Sequence, residues 1–145
     1  MILEKLKEHN IVFNVKQIIV DFELNIHKSI DEIFPDVEIL GCFFHLSKAL
    51  QSKVEKNGMK VVYEKNFEFQ RFVKKCVALS SLPLEDLETG MKWLKENVFF
   101  DDPQIETFKH YFLNYIDKFW MNGCYPPYVW STWGRSSDWT NNNQG

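Results

Sequence analysis

The chain has 145 residues, of which 45% are hydrophobic and 16% aromatic, and its formal net charge is −3. This length and composition fit one domain that buries a core, and they exclude a disordered tail. The slightly negative charge argues against a uniformly basic nucleic-acid binder. There is no run of about 20 apolar residues, and the first ten residues are charged and amphipathic rather than a signal peptide, so we expect an intracellular protein with no membrane partner. Three cysteines without a C-x-x-C pair argue against a disulfide framework.

The first predicted unit is a strand, a helix and a second strand. We expect a short helix at about 2–9, followed by a buried strand at about 17–21 that contains three consecutive apolar residues. Isoleucines at helical spacing then predict a helix that ends before Pro35, and a second apolar run predicts a strand at about 37–42. The unit is therefore βαβ with parallel strands, and a connection of this length is right-handed.

Residues suited to binding or catalysis lie at the ends of both strands. Asp21 closes the first strand, and Cys42 and His45 follow the second with a C-x-x-H spacing. Ligands in open α/β sheets bind at the carboxyl ends of the strands, so both positions are candidates for a site. The alternatives are structural: Asp21 suits a helix cap, and Glu23 a first-turn acid that complements the helix dipole. Cys42 and His45 suit zinc, but no second pair supplies further ligands, and a buried thiol with a hydrogen-bonded imidazole is the competing interpretation.

The chain from residue 45 to 120 is expected to be essentially helical. Four stretches carry apolar residues at helical spacing: about 46–54, 69–77, 84–98 and 105–119. The breaks between and after them are Asn57-Gly58, Ser81-Leu82-Pro83, Asp102-Pro103 and Asn122-Gly123. Beyond these, turn formers and aromatics predict an irregular segment packed on the helices. Its tryptophans either stack on bases or belong to the core: Trp130, Trp133 and Trp139.

Charge is distributed unevenly along the predicted helices. Residues 48–75 contain eight bases and three acids, whereas residues 84–106 contain two bases and seven acids. A basic face with Lys53, Lys56 and Lys60 is suited to contacts with a phosphate backbone. Solvated helix faces give the same pattern, and both interpretations stay open.

The strings DFE at 21–23, FP at 34–35 and GCFFHLSKAL at 41–50, in this order, resemble the catalytic domain of Mutator-like element (MULE) transposases. The likeness is close over about 18–63, and Thr140-Asn141-Asn142 continues it. It implies a ribonuclease H-like fold with an Asp-Asp-Glu (DDE) triad, in which Asp21 matches the second acid and Cys42 and His45 match the family's C-x-x-H motif. It also implies metal-dependent DNA cleavage and strand transfer in the nucleus, with transposon-end DNA as partner and Mg²⁺ or Mn²⁺ as cofactor.

The same resemblance predicts a catalytic deficit. About 20 residues precede Asp21, too few for the strand that carries the first acid, and the third-acid position holds Gly145 or, with a gap, Gln144. Enzymes of this class use two divalent cations held by carboxylates. We expect Asp21 alone to act as a weak, ancestral metal ligand, with no metal bound stably. The chain is thus interpreted as a fragment or remnant that is inactive alone, and the alternative is a domesticated module that holds DNA or a protein without chemistry.

The expected architecture is α/β, a truncated ribonuclease H-like βαβ unit followed by an all-helical insertion. It forms a single partial domain, with the βαβ part at 1–58, the helical insertion at 59–121 and an irregular aromatic-rich tail at 122–145. Without the family's first strand, one edge of the strand before Asp21 is unpaired, which allows chains to associate through that edge.

Overall fold

A computed structural model describes residues 4–5, 8–10 and 14–135, which are mostly helical with one small sheet. Strands β1 (Gln17–Val20) and β2 (Glu38–Gly41) pair in parallel, with Val20 opposite Gly41. Helix α1 (Leu24–Ile33) joins them. The predicted βαβ unit is confirmed, with strand bounds within one residue of those expected. The helix predicted at about 2–9 lies partly outside the described residues.

The described chain beyond β2 is mostly helical. Its helices are α2 (Phe43–Lys56), α3 (Lys60–Lys65), α4 (Phe67–Ala78), α5 (Leu87–Asn97), α6 (Pro103–Ile116) and the single turn α7 (Pro127–Trp130). Asn66 and Asp102 cap α4 and α6 with side-chain oxygens that accept backbone N–H groups. Gly58 follows α2 with a φ of 75°, a left-handed conformation that favours glycine. The helices and breaks are confirmed, whereas α3 was not separated from its neighbours and α7 interrupts the segment predicted to be irregular.

The main core lies among the helices rather than on the sheet. One cluster of buried side chains runs from Leu46 to Trp130. Its centre is aromatic: the Phe69 and Phe108 rings meet edge to face with centroids 5.6 Å apart. Such ring pairs add stabilisation beyond that of the apolar area they bury. This helical core is the body against which the small sheet is packed.

The aromatic side chain of Phe22 joins the sheet to that core. Phe22 directly follows the Asp21 position, and its ring meets those of Trp120 and Tyr125 edge to face, with centroids 4.9 Å and 5.2 Å away. The ring also lies against Gly41, the last residue of β2, where a Cβ atom would overlap it. Gly41 is therefore required by the space that Phe22 occupies.

The end of α6 departs from α-helical geometry. Residues Asp117–Met121 form a π-helical turn that continues α6. Trp120 in this turn is buried, and its indole N–H donates to the Tyr115 hydroxyl at 3.1 Å. Short π-helical turns are rare and are frequent at functional sites.

A fully buried lysine ties α6 to the segment before it. Lys109 Nζ donates to the Val98 carbonyl and to Glu106 Oε1, each at 2.6 Å, and lies 4.9 Å from the centre of the Phe99 ring. The other Glu106 oxygen accepts from the Phe100 N–H at 2.8 Å. Burial of the Glu106 carboxyl opposes its ionisation, but the hydrogen bonds from Lys109 and Phe100 outweigh burial, so its pKa lies below the usual value.

Candidate functional site

Asp21 lies at the carboxyl end of β1 and is partly buried. Its Oδ1 atom is enclosed and accepts no hydrogen bond from any residue in the described part of the chain. Enclosing a carboxylate oxygen without a donor costs free energy. Such an oxygen is therefore available to a cation, or to a donor from another molecule or chain segment.

Two side chains form hydrogen bonds with the backbone at Asp21 and Phe22. His27 donates from Nε2 to the Asp21 carbonyl at 2.7 Å, which places a ring proton on that nitrogen. The Tyr125 hydroxyl donates to the Phe22 carbonyl at 2.7 Å. Burial raises the pKa of Tyr125, with smaller contributions from nearby negative charge, so the phenol keeps the proton that it donates. The carbonyls of Asp21 and Phe22 are thus hydrogen-bonded by side chains from α1 and from the segment after the π-helical turn, respectively.

Cys42 and His45 lie in different environments. The Cys42 N–H donates to the Val20 carbonyl at 2.7 Å, which extends the pairing of the strands and brings Cys42 to the same sheet edge as Asp21. Cys42 is buried, with 8% of its surface exposed, and occupies the position before α2. His45 is exposed in the first turn of α2, with its ring centroid 5.8 Å from that of Phe44.

The donors around Asp21 fit only part of a divalent metal centre. Carboxylate oxygens are the ligands that Mg²⁺ and Mn²⁺ prefer, and the enclosed Oδ1 atom suits that role. Across residues 4–5, 8–10 and 14–135, no group of three or more His, Cys, Asp or Glu side chains is placed to hold a metal ion. A two-metal centre needs several carboxylates, and the described residues do not form one. Cys42 and His45 likewise lack the further ligands of a structural zinc site in this part of the chain.

The three lysines predicted to contact phosphate are not equivalent. Lys53 is partly buried, and its Nζ lies 4.5 Å from the centre of the Tyr115 ring and 5.5 Å from that of Tyr111. This is a cation–π arrangement that draws the lysine onto α6. Lys56 at the end of α2 and Lys60 at the start of α3 are exposed. Lys53 thus lies over the rings of α6 and stays partly exposed, whereas Lys56 and Lys60 are exposed residues without such a contact to α6.

The tryptophans near the end of the chain divide between core and surface. Trp130 is buried, and its indole N–H donates to the carbonyls of Trp120 and Tyr125 at 2.9 Å and 3.2 Å. Trp133 is 61% exposed. Several predicted positions lie outside the described residues: Trp139, Thr140-Asn141-Asn142, Gln144 and Gly145.

The residues that hold the turn at Asp21 carry little or no signal in the sequence. Phe22 and Gly41 both belong to the strings that resemble the transposase family, but no spacing reveals that they touch. Tyr125 lies 103 residues from the carbonyl that it contacts, which no local pattern can indicate. His27 carries a weak signal, because an imidazole six residues after Asp21, near the start of a helix, can reach back to the Asp21 carbonyl.

The chain matches no protein-family model. Comparisons with curated proteins and with solved structures also give no match. Among the helices of the described residues, none combines the length and apolar character needed to cross a membrane. Function must therefore be inferred from the residues and their geometry.

Proposed function

We propose that the chain derives from the catalytic domain of a Mutator-like DNA transposase and that the described residues do not perform its reaction alone. The observation that carries this proposal is the position of Asp21 directly after a parallel strand, with Cys42 at the same sheet edge. The family resemblance predicts this position for the second acid of the triad. The parallel strands and the helices that follow them support a ribonuclease H-like origin for the fold.

The inactivity follows from the supply of carboxylates. DNA cleavage and strand transfer in this family use paired divalent cations, which activate the attacking oxygen and stabilise the leaving one. Asp21 has an enclosed oxygen suited to one such ion, but the part of the chain that the structure describes brings no group of three possible ligands together. Loss of members of a catalytic set commonly lowers rates by several orders of magnitude.

A metal titration tests the role of Asp21. Mn²⁺ binding to the full chain, followed by electron paramagnetic resonance, should be weak and should weaken several-fold further in Asp21→Asn. Asp36→Asn is the matched control, because Asp36 is exposed in the turn before β2. Equal Mn²⁺ affinity of the parent chain and Asp21→Asn would remove the main support for the proposal.

A plasmid assay tests the inactivity. The purified chain and Asp21→Ala should both leave supercoiled DNA intact with Mg²⁺ or Mn²⁺, and neither should join strands. Nicking by the parent chain that Asp21→Ala abolishes would contradict the inactivity and establish Asp21 as a catalytic residue.

A second candidate function is a domesticated module that holds DNA without chemistry, and the exposed Lys56 and Lys60 favour it. Each phosphate neutralised on duplex DNA contributes about −0.9 to the slope of log K against log salt concentration. The Lys56→Gln/Lys60→Gln variant should therefore reduce that slope by about 1.8 in a fluorescence anisotropy titration. Lys92→Gln/Lys95→Gln removes two exposed lysines of α5, within the acidic stretch 84–106, and is the control. An unchanged slope in the first variant would exclude this candidate.

A further inference from the structure

The outer face of α6 carries a row of aromatic rings. Tyr111, Tyr115 and Phe119 recur every four residues along α6 and the π-helical turn, and the outer two are 42% and 53% exposed. The Tyr115 and Phe119 rings are stacked, with centroids 5.6 Å apart and planes inclined by 28°. The sequence has no acid between Tyr111 and Tyr115. Asp117, the one acid between Tyr115 and Phe119, lines a pocket with Lys92, Lys95 and Met121 on the α5 side.

Lysines from α2 border this row. Lys53 Nζ lies over both tyrosine rings, and hydrogen bonding to Lys53 is the main cause that lowers the pKa of Tyr111. Lys56 is exposed one turn further along α2. Together Lys53, Lys56, Tyr111, Tyr115 and Phe119 form what we call the aromatic–lysine face.

This combination matches the chemistry of a nucleic-acid strand with unpaired bases. Every base has a π face that stacks on an exposed aromatic ring, and the neighbouring phosphates favour lysine ammonium groups. A duplex keeps its base faces stacked inside, so its phosphates are open to such a surface and its base faces are not. The aromatic rings therefore add to affinity for a single strand and not for a duplex.

We propose that the aromatic–lysine face binds single-stranded nucleic acid, with bases stacked on Tyr111 and Phe119 and phosphates paired with Lys53 and Lys56. This inference deepens the second candidate function and rests on it, because it names the form of nucleic acid that such a module holds. It does not involve Asp21.

The test compares single-stranded and duplex ligands on the full chain. Fluorescence anisotropy with labelled oligo-dT, oligo-rU of equal length and a duplex should show tighter binding of the single strands. Tyr111→Leu/Phe119→Leu should weaken single-strand binding about ten-fold and leave duplex binding unchanged. Lys53→Gln should lower the salt slope for a single strand by about 0.7. Circular dichroism checks that each variant keeps its helices.

A matched control exists on α5. Trp93 is 48% exposed, and the Lys75 Nζ lies 5.1 Å from the centre of its ring. Trp93→Leu therefore removes an exposed aromatic ring that, like Tyr111, lies beside a lysine. It should leave single-strand binding unchanged. Equal losses in Trp93→Leu and the double variant, or tighter binding of the duplex, would overturn the proposal.

The outcomes separate this inference from the function on which it rests. Salt-sensitive duplex binding that depends on Lys56 and Lys60, with no effect of Tyr111→Leu/Phe119→Leu on any ligand, overturns the single-strand face and leaves the DNA-holding module standing. Absence of binding to every ligand overturns both. A preference for oligo-rU over oligo-dT, lost in the double variant, supports the face and identifies RNA as its ligand.

Discussion

The contact between Phe22 and Gly41 yields a quantitative prediction about how the sheet is joined to the helices. Gly41→Ala adds a methyl group that overlaps the Phe22 ring. The ring is held on other sides by Trp120 and Tyr125, so it has little freedom to move away. Overpacking of this kind costs about 1–3 kcal/mol, and we expect about 2 kcal/mol here. For a chain of this size that corresponds to a fall in Tm of about 4–8 °C.

Removal of the ring should remove the penalty. Phe22→Ala should itself cost about 2–3 kcal/mol, below the range for a fully buried phenylalanine because Phe22 is partly buried. In that background Gly41→Ala should cost less than about 0.5 kcal/mol, which gives a coupling of about 1.5 kcal/mol or more. Urea unfolding of the parent chain, both single variants and the double variant, followed by circular dichroism, measures all four free energies.

Gly90→Ala is the control for this cycle. A Cβ atom at Gly90 meets the side-chain ends of Leu79 and Leu82 rather than Phe22. Its cost should therefore add to that of Phe22→Ala without coupling. An equal cost of Gly41→Ala with and without the Phe22 ring would refute the assignment of Phe22 as the junction between sheet and helices.

Three further results are expected. Tyr125→Phe, which deletes the hydroxyl that donates to the Phe22 carbonyl, should lower the free energy of unfolding in urea by about 1–2 kcal/mol, and a variant as stable as the parent would show that this bond contributes nothing. The pKa of Glu106 is lowered on folding, so its ionised carboxylate stabilises the fold above its ordinary pKa, and this contribution is lost as the pH falls through the folded pKa. Glu106→Gln should therefore make the fall in Tm between about pH 6 and pH 3 less steep. An unchanged dependence of Tm on pH would contradict this reasoning. A thiol reagent should modify exposed Cys124 at once, while burial, which raises the pKa of Cys76, should keep that thiol unreactive until the chain unfolds; equal rates at both would be inconsistent with the fold.

The secondary structure could be predicted where its signals are local. The apolar run before Asp21 and the helical spacing before Pro35 were sufficient for the βαβ unit. Helix α3 was not separated because it has only six residues, too few to show a helical period of its own. The turn of α7 was missed because a proline-rich segment is usually irregular, although Pro127 at its first position suits a helix start.

The candidate site could be predicted only in part. Strand ends placed Asp21 and Cys42 at one sheet edge, since the pairing of parallel strands follows from their order. The spacing of Lys109 predicts burial, because Lys109 shares a helix face with Ile105, Phe112 and Ile116, where apolar spacing predicts core residues. Its charge predicts exposure instead, so the burial was not expected. The position of Lys53 over two tyrosines had no signal in the sequence, because it depends on how α2 and α6 pack.

Trp120 gives the chain an internal optical sensor. Its ring meets Phe22 at the sheet junction, and its indole N–H donates to Tyr115, a member of the aromatic–lysine face. Indole emission shifts with the polarity and hydrogen bonding of its surroundings. Loosening of the sheet and occupancy of the face should therefore both change the fluorescence of this one residue. The chain has five tryptophans, so these changes are measured as differences between variants. Phe22→Ala should remove the first change and Tyr115→Phe the second, so comparison of the parent with the two variants distinguishes loosening of the sheet from binding on the aromatic–lysine face.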